Sequence, residues 1–498
     1  MDKPNILFII TDQQRADTLG AYGSALHATP TLDRMAAAGC RFDRAYCNNP
    51  LCMPSRAAIL TGRYPGACGV RNNGVVAYPD QPLLPERLSA AGYHTAALGK
   101  IHYHPAGSEV AEGYWPEHRK SIQEGMDLTR PYLGFQTIRL GCGHGDTMPG
   151  LHERELRDNH PDIYRRRGRK GALEAPDALL QNASKIQTYK TAVPTEHYPT
   201  TWVVDRTVEY LQNAEEPFFL WCGVNDPHHP FCPPGDYWDR FSPKDMPLPV
   251  RREGELDDKP PHFRGFYEGA YKDVDSDGFL LGSEPYLSDD RIRIIRAAYY
   301  GMVALIDDGI ARIMDALRAR GLEENTVVFF LTDHGELLGD HGLILKGPFH
   351  YQPSVRVPLL AYAPGMAPGG RAINGPVGLI DLFPTLLELA GEPIPDGTQG
   401  RSLVPQLRGD TDRGHDHAFI EQDVDPLDLR LRTLITDRWR ITHYAGQPYG
   451  ELYDLHNDPN EFENLWDRNP AARRELQAQL LDVIAQNQPW HPPKISHA

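Results

Sequence analysis

Cys52 opens the run Cys52-Met53-Pro54-Ser55-Arg56, which continues through the small apolar residues Ala57, Ala58, Ile59 and Leu60 to Thr61-Gly62-Arg63. A polar loop meets a helix N-terminus at Pro54 and Ser55, where proline and a capping hydroxyl are favoured. Cys52 then lies beside unpaired backbone N–H groups, with Arg56 about one turn further on, a setting for anionic chemistry. A cysteine before a helix is more often a buried apolar residue. The pattern therefore needs partners elsewhere in the chain.

Four other segments offer them. Asn5–Thr11 is a continuous apolar run, typical of a central parallel strand, and Asp12-Gln13 follow it. Thr326–Leu331 has the same character and leads into Thr332-Asp333-His334-Gly335-Glu336, with Lys346 thirteen positions beyond Asp333. Carboxylates at the carboxyl ends of strands lie where open α/β sheets bind ligands, and they suit a hard divalent cation. The expected strand Tyr93–Leu98 ends at Gly99-Lys100-Ile101-His102, and strand alternation would put Lys100 and His102 on one side. The strand Pro217–Val224 ends at Asn225-Asp226-Pro227-His228-His229-Pro230, a loop whose histidines could move protons. Singly, each has a bland reading as a helix cap, a solvated pair or a loop histidine.

Together they do not. The string Cys52-x-Pro54-Ser55-Arg56-x-x-x-Leu60-Thr61-Gly62-Arg63 resembles the signature of type I sulfatases at every defining position, and Asp333-His334-Gly335-Glu336 with Lys346 resembles their second signature. The resemblance implies that Cys52 is oxidised to formylglycine by a separate formylglycine-generating enzyme, and that the aldehyde hydrate is the nucleophile. It implies one divalent metal held by Asp12, Gln13, Asp333, His334 and an oxygen at Cys52. Calcium is the family's ion; Gln13 and His334 replace the commoner Asp and Asn, a change also found in choline-sulfatase and phosphonate-hydrolase branches, which brings in magnesium or manganese. Arg56 and Lys100 would hold the nucleophile, Lys346 and His228 would stabilise the sulfate and protonate the leaving oxygen, and His102 would expel sulfate as a base. Asn73 matches an asparagine that contacts the sulfate in relatives. His350, with His104 and Tyr351, is expected along the leaving-group pocket.

The function expected is hydrolysis of a small-molecule or saccharide sulfate ester. A phosphonate monoester or phosphodiester hydrolase of the same superfamily is the alternative, set back by Lys100 and His102, since that branch carries hydroxyl residues there. A catalytically dead anion-binding protein would lack a catalytic group, and none is missing.

The remaining composition agrees. A net charge of −16 over 498 residues argues against nucleic acid and anionic membranes as partners. It also demands local cations at any sulfate site, which Arg56, Lys100, Lys346 and a metal would supply. Seven scattered cysteines fit a reducing compartment. No apolar run approaches the roughly 20 residues of a membrane span, the first residues lack signal-peptide character, and a cytoplasmic location is expected. The fold expected is α/β: a large, mostly parallel mixed sheet between helices, alkaline-phosphatase-like, over residues 1–395. A small antiparallel sheet with one helix would follow over 396–498. The segment 103–198 reads as pocket-shaping or as an oligomer contact, and the stretch after Asn487 as a docking arm. Whether the chain forms a homo-oligomer is open at this point.

Overall fold

The computed structural model describes residues 3–105, 131–174, 188–271, 287–366 and 368–487. Its strands, in chain order, begin with β1 (Asn5–Thr11), β2 (Cys40–Phe42), β3 (Ala45–Tyr46), β4 (His94–Gly99), β5 (Thr137–Leu140) and β6 (Phe218–Gly223). Then come β7 (Thr326–Thr332), β8 (Arg356–Val357), β9 (Leu359–Tyr362), β10 (Arg371–Ile373) and β11 (Val377–Gly378). The last four are β12 (His417–Val424), β13 (Leu429–Thr436), β14 (Trp439–Tyr444) and β15 (Gly450–Asp454). Eight strands form the main sheet in the order β10-β2-β9-β7-β1-β6-β4-β5, with β3, β8 and β11 in a small adjunct. From β7 to β5 the neighbours are parallel, whereas β9 is antiparallel to β7 and to β2.

The apolar run of β1 is buried throughout because helices cover both faces. Ile6, Phe8 and Ile10 join a core with Ala57, Ile59 and Leu60 of the helix Cys52–Thr61. Leu7 and Ile9, on the opposite face, pack with Val203 and Val204 of the helix Pro199–Asn213 and with Ile306, Ile310 and Ile313 of the helix Asp289–Ala319. Period-two alternation along one strand thus fixes which helix lies on which side.

The N-terminus of one helix is capped from another. Thr29 makes no side-chain cap to the helix Pro30–Ala38. Instead Asp307, on the long helix, accepts hydrogen bonds from the N–H groups of Thr31 (2.9 Å) and Leu32 (2.8 Å), joining two helices through one carboxylate. Asp307→Ala is expected to cost about 1–2 kcal/mol, the size of a lost cap. The midpoint of urea unfolding measures it, and an unchanged midpoint would contradict the assignment.

β12 to β15 form a separate antiparallel sheet. The helix Pro470–Gln486 packs Leu476, Leu480 and Val483 against Ile441 and Leu452 of that sheet. The sheet also braces the loop before Cys52. Asn48 Nδ2 donates to the Phe419 carbonyl (3.0 Å) and Asn49 Nδ2 to that of Glu421 (2.7 Å). No helix among the described residues is long and apolar enough to cross a membrane. Parts of the 103–198 segment (106–130 and 175–187) and the stretch after Asn487 lie outside the described residues.

Candidate active site

Parallel pairing brings four strand ends to one edge. Thr11 is in register with Thr332, Ile10 with Gly223, and Gly223 with Gly99. The residues that follow these positions are Asp12-Gln13, Asp333-His334, Asn225 to His229, and Lys100 to His102. The ends of β4 and β6 approach so closely that a side chain on Gly99 would lie 2.0 Å from the Gly223 carbonyl oxygen, and Gly99 has φ +86°. With His102 at φ +56°, the chain turns here and does not continue the expected strand alternation. Lys100 reaches the site nonetheless.

The helix Cys52–Thr61 presents its first residue to this edge, and all of its residues are buried. Ser55 is not its cap. The helix starts at Cys52, ahead of the start expected at Pro54 and Ser55, so the Ser55 hydroxyl lies inside it and donates to the Asp333 carbonyl (2.6 Å). Asn49 and Asn73 serve the free N–H groups instead: Asn49 Oδ1 accepts from Leu51 (2.9 Å) and Asn73 Oδ1 from Met53 (3.1 Å).

Around the Cys52 sulfur lie His334 Nε2 at 3.2 Å, Asp12 Oδ1 at 3.6 Å and Lys346 Nζ at 3.7 Å. Arg56, with no exposed surface, donates through Nε to Asp333 Oδ2 (2.7 Å) and through Nη1 to the Lys100 carbonyl (3.0 Å), and its Nη2 lies 3.6 Å from Asp12 Oδ2. Lys100 Nζ bonds Asp12 Oδ2 at 2.5 Å. Lys346 Nζ bonds Gln13 Oε1 (2.5 Å) and His228 Nε2 (2.7 Å). Glu336 accepts N–H groups from Gln13, Leu338 and Leu345, which turns the Gln13 carbonyl oxygen toward Lys346.

The electrostatics follow from burial and these pairings. Burial alone would raise the Asp12 pKa, but Lys100 and then Arg56 outweigh it and hold the carboxyl well below its usual range. Burial, with the nearby Asp12 carboxylate, pushes the Cys52 thiol up to about 11. A thiol so placed stays protonated at neutral pH and is a poor nucleophile. Burial lowers His334 to about 4. Its Nδ1 bonds the Gly335 carbonyl (2.9 Å), so Nε2 carries the lone pair and faces Cys52 and the two carboxylates. His102 and His228 are also held far below the ordinary histidine range, first by burial and then by nearby cationic or imidazole groups.

A metal fits this arrangement. One ligand atom each from Asp12, Cys52, Asp333 and His334 lie within 4.8 Å of one another, all buried. Two carboxylates beside an imidazole lone pair form an acceptor-rich pocket that a divalent cation would satisfy.

Two of the three residues expected along the leaving-group pocket are engaged elsewhere. His350 is buried, with Nδ1 bonded to Thr433 Oγ1 (2.7 Å) and Nε2 to Gln422 Oε1 (3.0 Å), so it ties the chain to the C-terminal sheet and not to a leaving group. Tyr351 is likewise buried, its ring stacked 3.7 Å from that of His341. His104 bonds the Tyr132 hydroxyl at 2.5 Å.

His144 was missed. Its ring stacks 3.6 Å from that of His228, and its Nε2 lies 2.8 Å from Lys100 Nζ. The only signal in the sequence was the glycine density of Gly141-Cys142-Gly143-His144-Gly145. His229 and Glu336, which the sequence places in the motifs without a role of their own, contact the Gln13 amide.

Known proteins share this architecture. The Sulfatase family model matches residues 4–392, and the model for the N-sulphoglucosamine sulphohydrolase C-terminal region matches 339–488. An arylsulfatase of Clostridium perfringens is 29% identical, the match covering 93% of this chain and 90% of the relative. A choline-sulfatase of Rhizobium meliloti is 27% identical, with 96% and 85% covered. The crystal structure of a phosphonate monoester hydrolase of Agrobacterium radiobacter superposes with a TM-score of 0.78 at 27% identity, covering 97% of this chain and 96% of the other.

Proposed function

The chain belongs to the sulfatase family of the alkaline phosphatase superfamily, and from that premise we propose that it hydrolyses sulfate monoesters with a formylglycine made from Cys52 and one divalent metal ion. As a member of that family it is a sulfuric ester hydrolase. The observation that carries the finer reading is the setting of Cys52: a buried side chain at a helix start, ringed by His334, Asp12 and Lys346. That ring suits an oxygen nucleophile far better than a thiol, so conversion of the side chain gives the surrounding charges a purpose.

The aldehyde hydrate supplies the attacking hydroxyl, and a divalent ion held by Asp12, Gln13, Asp333 and His334 supplies Lewis-acid charge beside it. Calcium is the ion proposed; magnesium and manganese accept the same donors. Arg56 and Lys100 hold the side chain at position 52, and Lys100 also offers positive charge to the sulfate. The Nδ1 of His228 bonds the His229 carbonyl at 2.6 Å and its Nε2 takes a hydrogen bond from Lys346, so this pair carries the proton that the leaving oxygen needs. His102, kept neutral, can accept a proton and so serves as the base that releases sulfate. Asn73, which accepts a hydrogen bond from the Met53 N–H at the helix start, is the residue we assign to contact the sulfate. We divide the chain into a catalytic domain, 1–395, and a smaller domain, 396–498.

The substrate class is a small-molecule or saccharide sulfate ester, and a formylglycine-generating enzyme is the transient partner. A hydrazide that labels aldehydes should mark the Cys52 peptide in one portion of the protein, and the unlabelled remainder should release inorganic sulfate from p-nitrophenyl sulfate. Chelation should stop the release and a divalent cation restore it. An aldehyde-bearing protein that is inert toward sulfate esters in the presence of each of the three cations would refute the proposal.

One observation favours a second reading. The phosphonate monoester hydrolase structure superposes well over nearly the whole chain. Lys100 and His102 argue against it, and the relative rates on the two ester types decide between them.

A further inference from the structure

Among the described residues, two partners fix the ammonium group of Lys100. Its Nζ donates to Asp12 Oδ2 (2.5 Å) and to His144 Nε2 (2.8 Å), which leaves one N–H for a substrate oxygen. His144 is therefore placed to aim that remaining donor. Resting on the sulfate-ester reading, we infer that His144 is a positioning residue for this reaction: it accepts a hydrogen bond from Lys100 and thereby directs the lysine toward the sulfate at Cys52.

The local fold is built to hold this imidazole still. His144 and Thr147 exchange backbone hydrogen bonds of 3.2 Å, closing a tight turn. Asn225 Nδ2 holds the Gly143 carbonyl at 2.6 Å. Two residues after His144, the buried Asp146 accepts from the Tyr189 hydroxyl (2.8 Å), the Thr191 hydroxyl (2.5 Å) and the Gly168 N–H (3.0 Å). Gly145 has φ +57°, and a side chain there would lie 2.7 Å from Pro230, so only glycine lets the turn press against the His228–Pro230 loop. The imidazole then stacks on His228 with an interplanar angle of 15°. Burial first, and then the Lys100 charge, keep His144 well below the ordinary histidine range. A neutral ring retains the lone pair that Lys100 needs.

His144 has two separable properties, an acceptor and a flat ring. His144→Phe keeps the ring against His228 and removes the acceptor, whereas His144→Gln keeps an acceptor near the Nε2 position and removes the ring. Turnover should be measured on p-nitrophenyl sulfate and on phenyl sulfate, whose leaving groups differ in basicity. Each protein needs a verified Cys52 aldehyde and a melting temperature close to the parent's. His144→Phe should lower kcat on the order of 10- to 100-fold, as loss of a group that orients a catalytic residue does. The loss should be equal for both esters, because Lys100 faces the sulfate and not the leaving oxygen, and His144→Gln should recover most of it. The inference is overturned if His144→Phe matches the parent, if His144→Gln is no better than His144→Phe, or if the loss is larger for phenyl sulfate, which would mean an action through His228. Absence of turnover by the parent would overturn the sulfate-ester reading together with this one, whereas an active parent with an unaffected His144→Phe variant would overturn this one alone.

Discussion

Replacing Cys52 with alanine is expected to abolish sulfate-ester turnover, by more than about 10⁴-fold in kcat, while leaving the fold intact. The size follows from the role: the substitution removes the reacting group itself. Lys346, Asp12 and His334 lie within 3.7 Å of its sulfur, and no other described nucleophilic side chain shares that position. The fold should tolerate the change because the residue starts a helix whose backbone caps come from Asn49 and Asn73 and not from the thiol. Cys52→Ser is the stricter variant, since it places a hydroxyl oxygen there but should escape conversion to the aldehyde. Both should be inert toward p-nitrophenyl sulfate with melting temperatures near the parent's. Turnover by Cys52→Ala within tenfold of the parent would remove Cys52 from the mechanism.

Arg56→Leu should strike stability as well as activity. Arg56 is wholly buried and bridges Asp333 and Asp12 while donating to the carbonyls of Lys100 and Thr11. Removing one partner from a buried ion pair leaves the other charge uncompensated, at a cost of about 3–5 kcal/mol. Arg56→Lys should recover only part of this, because an ammonium cannot span two carboxylates and a carbonyl as the planar guanidinium does. The pH dependence carries a sign. Asp12 is held ionised well below its usual range, so its share of stability is present at neutral pH and is lost as pH falls through the depressed value. Without Arg56 that value rises, and acid unfolding should begin at a higher pH. Denaturant midpoints at neutral and acidic pH test both statements. A neutral-pH loss under about 1 kcal/mol would mean that Lys100 and the metal suffice to balance the carboxylates.

The chain announces its site unevenly, and the reason is physical. Asp12 and Asp333 could be placed from sequence because each ends a continuous apolar run, and such runs become adjacent central strands whose ends coincide. The helix at Cys52 was legible too, although its start was misplaced: Pro54 and Ser55 resemble a cap, yet Asn49, Asn73 and the Asp333 carbonyl take up the polar groups. Strand alternation failed after Gly99 because the backbone turns at φ +86°, a freedom that periodicity cannot reveal. His350 misled because a histidine near a motif looks functional, and only the structure brings Thr433 and Gln422, more than 70 residues away, against its two nitrogens. His144 was invisible for the opposite reason. It lies in a glycine-rich turn without periodicity, and its link to Lys100 arises through parallel strands and through an anchor at Asp146 that draws on residues 168, 189 and 191. The mixed sheet and the C-terminal antiparallel sheet, by contrast, were both foreseeable from runs of apolar and alternating residues.

The most direct test compares hydrolysis of one aryl sulfate with that of the matching aryl phosphonate monoester, using protein whose Cys52 peptide has been shown by mass spectrometry to carry the aldehyde. With Lys100 and His102 in place, kcat/KM for the sulfate should exceed that for the phosphonate by at least about tenfold, and His102→Ala should remove the sulfate activity. Faster hydrolysis of the phosphonate would contradict the proposed specificity and make the chain a phosphonate hydrolase built on the same metal and aldehyde site.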